Sequence, residues 1–177
     1  MTKLVCVFLF SLLTGILHAQ RFAVKTNVLL DGVMAPNLGV EMLTGSRSTV
    51  SVSLMNGNNV AYKHLSVLAF QPEWRHWLSG QPLHRGFIGL VGMAARYKGT
   101  PGKATSYDGY GAGLGFELGY DFGLSSRMKL ELAAGSGAFI YNQKQGYKVP
   151  AEEVSAPVSG YTLIPLQAAF SLIYILK

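Results

Sequence analysis

The sequence predicts an all-β fold: an eight-stranded antiparallel up-and-down transmembrane β-barrel, preceded by a cleaved signal peptide. Three observations predict it. After residue 20 the chain divides into segments of about ten residues in which apolar and polar side chains alternate, separated by Gly, Pro, Asn, Asp and Ser; a tilted strand needs about that length to cross a bilayer. The stretch "GYGAGLGFELGY" (109–120) has Gly at every odd position except Glu117, and Tyr, Ala, Leu or Phe at every even one. On a wet face those glycines would only weaken the strand, by roughly 0.5–1 kcal/mol each relative to Ala. In a narrow lumen they would make room for long side chains such as Arg75 and Lys129. Finally, seven segments offer several large residues each to one face, among them Phe70, Trp74, Tyr110, Phe116, Tyr120, Phe170 and Tyr174. An eight-stranded barrel has little interior volume to house them, so the apolar face is expected outward, against lipid.

The amino terminus is set apart. "MTKLVCVFLFSLLTGILHAQ" has Lys3, an apolar run from Leu4 to Leu17 and small Ala19 before Gln20, the layout of a secretory signal. The expected division is a signal peptide over 1–19 and a barrel domain over 20–177. Removing residues 1–19 takes away Cys6, the single cysteine, so a disulfide or a cysteine metal site is excluded. It also takes away Lys3, so the formal charge falls from +6 to +5. For an exported chain this positive balance suits anionic lipid headgroups better than nucleic acid, which is not expected as a partner. Beyond the signal there is no apolar run of 18 residues, and a membrane chain without such a helix must close its sheet into a barrel.

The expected strands are 21–31, 36–44, 48–56, 62–78, 86–97, 107–122, 127–141 and 161–177. In the first, Phe22, Val24, Thr26, Val28 and Leu30 oppose Lys25, Asn27 and Asp31. In the second, Leu38, Val40 and Met42 oppose Asn37, Gly39 and Glu41; in the third, Val50, Val52 and Leu54 oppose Ser51 and Ser53. The fourth sets Leu68, Phe70, Pro72 and Trp74 against Gln71, Glu73 and Arg75. The fifth is ambiguous: placing Arg96 on the polar face also puts Ile88 and Leu90 there, unless a bulge intervenes. The sixth is the glycine strand. The seventh sets Met128, Leu130 and Leu132 against Lys129, Glu131 and Gly135, and the eighth sets Ile164, Leu166, Ala168, Phe170, Leu172, Tyr174 and Leu176 against Gln167, Ala169 and Ser171. With Gln20 in the periplasm, connections 31–36, 56–62, 97–107 and 141–161 face outward from the cell, and the inner turns are mostly the shorter ones, as membrane barrels prefer.

Five stretches in this order, "KTNVLLD" (25–31), "PNLGVE" (36–41), "QPEWRHWL" (71–78), "YGAGLGFELGY" (110–120) and "SLIYILK" (171–177), resemble an uncharacterised family of small outer-membrane β-barrel proteins of Bacteroidota-type bacteria, a domain of unknown function. The resemblance implies export and an outer-membrane location. It supplies no catalytic residue. Some members sit beside surface-fimbria assembly genes, so the resemblance implies a structural, anchoring or surface-assembly role.

The candidate site is therefore a lumen polar network of Lys25, Glu41, Gln71, Glu73, Arg75, Glu117, Asp121, Lys129 and Glu131. Charges enclosed in a small barrel must pair, and Asp121 and Lys129 are expected opposite one another across the "GLSSR" turn. Interfacial aromatics are expected at Trp74, Trp77, Tyr110, Tyr120, Tyr141, Tyr161 and Tyr174, near strand ends. His64, His76 and His84 form no metal-binding spacing, and "GTPGKATS" (99–106) lacks phosphate-loop spacing, so no metal or cofactor is expected. Outer membrane lipid and lipopolysaccharide are the expected surroundings, with Lys63, Lys98, Lys103, Lys144 and Lys148 placed to meet phosphates. Loop 142–160 is the expected segment for a surface-protein partner. The chain reads as a non-enzymatic barrel; a lipid A-modifying enzyme using His64 or His76 with Ser66, and a secreted lipocalin-like binder of an apolar ligand, are the alternatives.

Overall fold

A computed structural model describes residues 22–62, 64–100, 105–149 and 152–176. The expected signal peptide, Lys63 and Lys103 lie outside the described residues. Eight strands are described: β1 (Phe22–Asn27), β2 (Asn37–Leu43), β3 (Ser48–Gly57), β4 (Leu65–Trp77), β5 (Arg85–Gly99), β6 (Thr105–Gly123), β7 (Met128–Val149) and β8 (Glu152–Ile175). Each pairs antiparallel with the next, and β8 pairs back onto β1, with Lys25 opposite Ile173, so the sheet closes on itself. Among the described residues no helix is long and apolar enough to cross a membrane, which says nothing against strands.

Local chemistry explains where the strands stop. β1 ends at Asn27, four residues before the expected boundary, because the Asn27 side chain accepts the Leu29 N–H at 3.2 Å and starts a single helical turn, α1 (Val28–Gly32). Asp31, expected on the strand's polar face, belongs to this turn and accepts from Thr26 Oγ1 at 2.9 Å and Asn37 Nδ2 at 3.1 Å. At the opposite end Ser125 Oγ accepts the Met128 N–H at 3.0 Å and closes the β6–β7 turn. We call the end carrying residues 44–47, 78–84 and 124–127 the turn end, and the other the loop end.

The register settles the ambiguous fifth strand. β5 has no bulge: it pairs without a shift from Leu65 opposite Gly99 to Trp77 opposite Phe87. Phe87, Gly89, Val91, Met93, Ala95 and Tyr97 point in, and Arg96 points out with Ile88 and Leu90. The irregularity lies instead in β8. Gly135 faces Gln167 but Ser136 faces Pro165, so Leu166 is the extra residue of a bulge. Leu166 and Ile164 therefore turn inward, not outward as continuous alternation predicts, and Tyr161 and Leu163 turn out.

β7 and β8 are also far longer than expected. Residues 142–149 and 152–160 continue the ladder, with Asn142 opposite Ser159 and Lys148 opposite Glu153, so the described residues of the expected loop 142–160 are strand, and β6 flanks β7 as far as Thr105 opposite Tyr147.

Among the described residues the interior holds two apolar clusters. Ala23, Trp77, Leu83, Phe87, Ala133, Ala169 and Ile173 pack toward the turn end. Val91, Phe139 and Leu166 form the other, joined by half-buried Met93, Tyr97, Tyr141 and Ile164. The glycine row serves these apolar clusters more than the long cations. A Cβ on Gly113 would meet Phe139 Cδ2 at 2.9 Å and Leu166 Cδ2 at 3.2 Å, and one on Gly119 would meet the Phe87 ring.

Candidate functional site

The charged side chains converge because inward positions on β1 to β4, β6 and β7 face a common axis. Arg75, wholly buried, sits at the centre. Its Nε donates to Glu117 Oε1 at 3.0 Å, and its Nη2 lies 2.8 Å from Glu73 Oε2. Its Nη1 reaches Glu131 and, at 3.5 Å, Glu41 Oε2. The guanidinium also lies 4.3 Å from the centroid of the Phe87 ring, an arrangement a planar cation favours. Lys25 Nζ donates to Glu73 Oε2 at 2.6 Å and Ser51 Oγ at 3.2 Å, and Ser51 Oγ donates to the same carboxylate oxygen at 2.6 Å. Thr49 Oγ1 donates to Glu41 Oε1 at 2.5 Å and accepts from Trp77 Nε1 at 3.1 Å.

Two glycines shape this centre. Glu117 is flanked across the ladder by Gly89 and Gly135. A Cβ on Gly89 would lie 2.9 Å from Glu117 Oε1, and one on Gly135 would lie 2.9 Å from Glu117 Cβ. Their bare backbones leave the space through which the carboxylate reaches Arg75. That accounts for one acid standing in a row of glycines.

Six of the nine expected network residues thus form one ion-paired cluster: Lys25, Glu41, Glu73, Arg75, Glu117 and Glu131. Gln71 joins through Gln167, whose Nε2 lies 3.5 Å from Glu73 Oε1. Asp121 and Lys129 do not join it, and they are not opposite one another. The ladder sets Asp121 against Glu131 and Lys129 against Gly123, because β6 runs on through Gly123, a residue the expected turn had claimed. Asp121 is only 2% exposed, and neither of its carboxylate oxygens has a hydrogen-bond partner among the described residues. Thr49, Ser51 and Gln167 bind the network and were not expected in it. Their signal was parity, since each shares the inward face of its strand.

The aromatics divide. Trp74, Tyr110, Tyr120, Tyr161 and Tyr174 point outward, Tyr161 being 85% exposed. Trp77 and Tyr141 are corrections. Trp77 is fully buried and packs on Phe87 with ring centroids 4.9 Å apart. Tyr141 packs against the interior cluster of Val91, Phe139 and Leu166. Both share the parity of inward neighbours, Arg75 and Phe139, and parity outweighs nearness to a strand end.

The histidines are spread over the surface. His76 stands beside Trp74 on the outer wall toward the turn end, ring centroids 6.4 Å apart. His64 and Ser66 lie at the other end of β4, and His84 lies in the β4–β5 turn. Among the described residues no group of three His, Cys, Asp or Glu side chains is placed to hold a metal ion. The geometry offers a tightly paired ionic plug.

The family model described as "Protein of unknown function (DUF3575)" matches residues 4–176. Among curated proteins none matches the chain. Among solved structures the translocator domain of autotransporter NalP from Neisseria meningitidis is similar, at 15% identity and a TM-score of 0.45 over 93% of this chain. The match spans 65% of that domain's length.

Proposed function

The chain belongs to the DUF3575 family of unknown function, and on that premise we propose that it is a non-enzymatic outer-membrane β-barrel, with a structural or anchoring role at the cell surface. One observation carries the reading: the barrel is inside-out for a protein in water. Phe116 is 76% exposed and Leu163 80%, alongside Leu114, Leu118 and Ile140 on the same wall, while Arg75 and four carboxylates are enclosed. Soluble monomers rarely expose contiguous apolar surface on this scale. On β6 the apolar wall runs from Tyr110 through Tyr120 to Phe122; the eleven residues bounded by the two tyrosines rise, over ten steps, about 26 Å at the usual strand pitch and tilt. That is the height of the lipid-facing band of such barrels, with a tyrosine at each border.

The turn end would face the periplasm and the loop end the exterior. Residues beyond Asn142 on β7 and before Ser159 on β8 continue past the band, with β6 still paired to β7 as far as Thr105 opposite Tyr147, which supports an anchoring role: an extended piece of sheet stands where a surface partner could meet it. Fimbrial association follows from the family resemblance of the sequence stretches and belongs to the same proposal. The lipocalin-like alternative needs the apolar face inside, opposite to what is found.

A lipid A-modifying enzyme is the second reading. It is favoured by His64, Ser66 and Asp108 lining one outward groove, although Asp108 is engaged by Lys98 at 3.4 Å. Cell fractionation with heat-modifiable gel migration tests the first reading: a membrane-bound, heat-shifted band is expected, and a soluble chain without a shift would overturn it. Mass spectrometry of lipid A with and without the protein tests the second, for which a changed acylation or phosphate pattern is required.

A further inference from the structure

Toward the loop end, three cations of the outer wall are gathered in one place. The ladder sets Ser66 opposite Lys98, Lys98 opposite Asp108, and Asp108 opposite Lys144. These four outward positions form one row across β4 to β7. Adjacent members lie about 5 Å apart at the Cα, so the two lysines flank Asp108 within about 10 Å of each other. The next row toward the turn end is Leu68, Arg96, Tyr110 and Asn142. Below that come Phe70, Ala94, Ala112 and Ile140. Two cations, Lys98 and Lys144, thus flank one carboxylate one row beyond the tyrosine border of the apolar band, and a third, Arg96, stands in the border row itself, opposite Tyr110. An open cavity of about 640 Å³ lies at the same level, lined by His64, Ser66, Lys98, Thr100, Ser106 and Lys144.

We propose that this groove binds the phosphorylated headgroup of a membrane glycolipid, with the lipid's acyl chains lying down the Ala94–Ala112 seam between Phe70 and Ile140. The inference rests on the outer-membrane reading above and adds a ligand class and a site to it. Depth is the argument. These lysines stand on paired strands, on the outer side of the wall, one row beyond Tyr110. A side chain there meets lipid phosphates; one on a loop tip meets bulk water. Asp108 holds Lys98 at 3.4 Å and leaves net positive charge, so a phosphate entering between Lys98 and Lys144 replaces solvent around the excess cation. Ser66, Ser106 and Thr100 supply neutral donors around the same space.

The test uses the full chain, folded in neutral detergent, with bisphosphorylated lipid A and its phosphatase-treated form as probes, and native mass spectrometry as the readout. The wild type is expected to retain the phosphorylated form preferentially. Lys98→Gln with Lys144→Gln is expected to lower that retention about 30-fold, at roughly one lysine's worth of headgroup attraction each. Its heat-modifiable migration should be unchanged, since both residues lie outside the barrel interior. Equal retention of the two lipids by a heat-modifiable wild type overturns the site alone, as does an unaffected double variant. Displacement by inorganic phosphate at millimolar concentration overturns the lipid assignment, because a bare anion site would then suffice. A wild-type chain with no heat shift overturns the membrane reading and this site together.

Discussion

Arg75 decides how the interior is held together. A buried charge is costly alone, and removing one partner of a buried pair typically costs about 3–5 kcal/mol because the other is left uncompensated. Arg75→Met would leave Glu41, Glu117 and Glu131 without their shared cation, while Lys25 still serves Glu73. The unfolding free energy of the barrel in lipid vesicles, read from urea titration, should fall by that order. Arg75→Lys should recover only part of it, because an ammonium cannot reproduce the guanidinium fork. A midpoint unchanged in Arg75→Met would show that the cluster is not what the barrel depends on. Glycine substitutions separate space from flexibility. Gly89→Ala places a Cβ 2.5 Å from Trp74 O and 2.9 Å from Glu117 Oε1, so it should cost about 1–3 kcal/mol. Gly86→Ala meets only Leu78 Cδ1 at 3.7 Å and Gly119 O at 3.9 Å, and should be close to neutral. If the two alanines behave alike, the crowding argument fails.

At the level of strands, most of the architecture could be read from alternation, and its errors have physical causes. Alternation identified eight strands and put Glu41, Glu73, Arg75, Glu117 and Glu131 on inner faces, because period two is a backbone property. It failed where one residue changes the count. The Leu166 bulge leaves no mark in composition, since Leu fits either face, and it turns Ile164 and Leu166 inward from the outward face expected for them. The Asp121–Lys129 pairing failed for a related reason: the strand continues through Gly123, which moves the partner of Asp121 from Lys129 to Glu131. The end of β1 was hidden because Val28, Leu29 and Leu30 look like strand residues, and the helical turn is started by the Asn27 side chain. Trp77 and Tyr141 lie near strand ends, but their parity with Arg75 and Phe139 puts them inside. The bulge makes a sharp prediction. Leu166→Ala removes buried interior volume and should lower the unfolding free energy by about 2–5 kcal/mol. Leu163→Ala, three residues away and facing out, should cost far less. Equal effects would place Leu166 outside and remove the bulge.

The whole barrel has a lopsided wall. β1 and β2 have 6 and 7 residues, whereas β7 and β8 have 22 and 24. The residues of β7 from Gln143 to Val149 rise about 18 Å past the row of Tyr110 and Asn142 at the usual pitch and tilt. The short strands meet the charged cluster near its own level, and the long ones carry the sheet on past it. The sealed part and the extended part are therefore separate: the cluster and the Trp77–Phe87 stack occupy the lumen, and the far ends of β6, β7 and β8 run on beyond them. Eight strands leave an interior just wide enough for side chains, and here those side chains are held by ion pairs that do not open without exposing a buried charge. A barrel built this way should not conduct. In planar bilayers the purified chain should give no ion-current steps, whereas a variant with Arg75→Gly, Trp77→Ala and Phe87→Ala should leak if it still folds. The heat shift of that variant reports whether it does. Stable conductance steps from the unaltered chain would mean that the plug moves, and the anchoring role would then give way to transport.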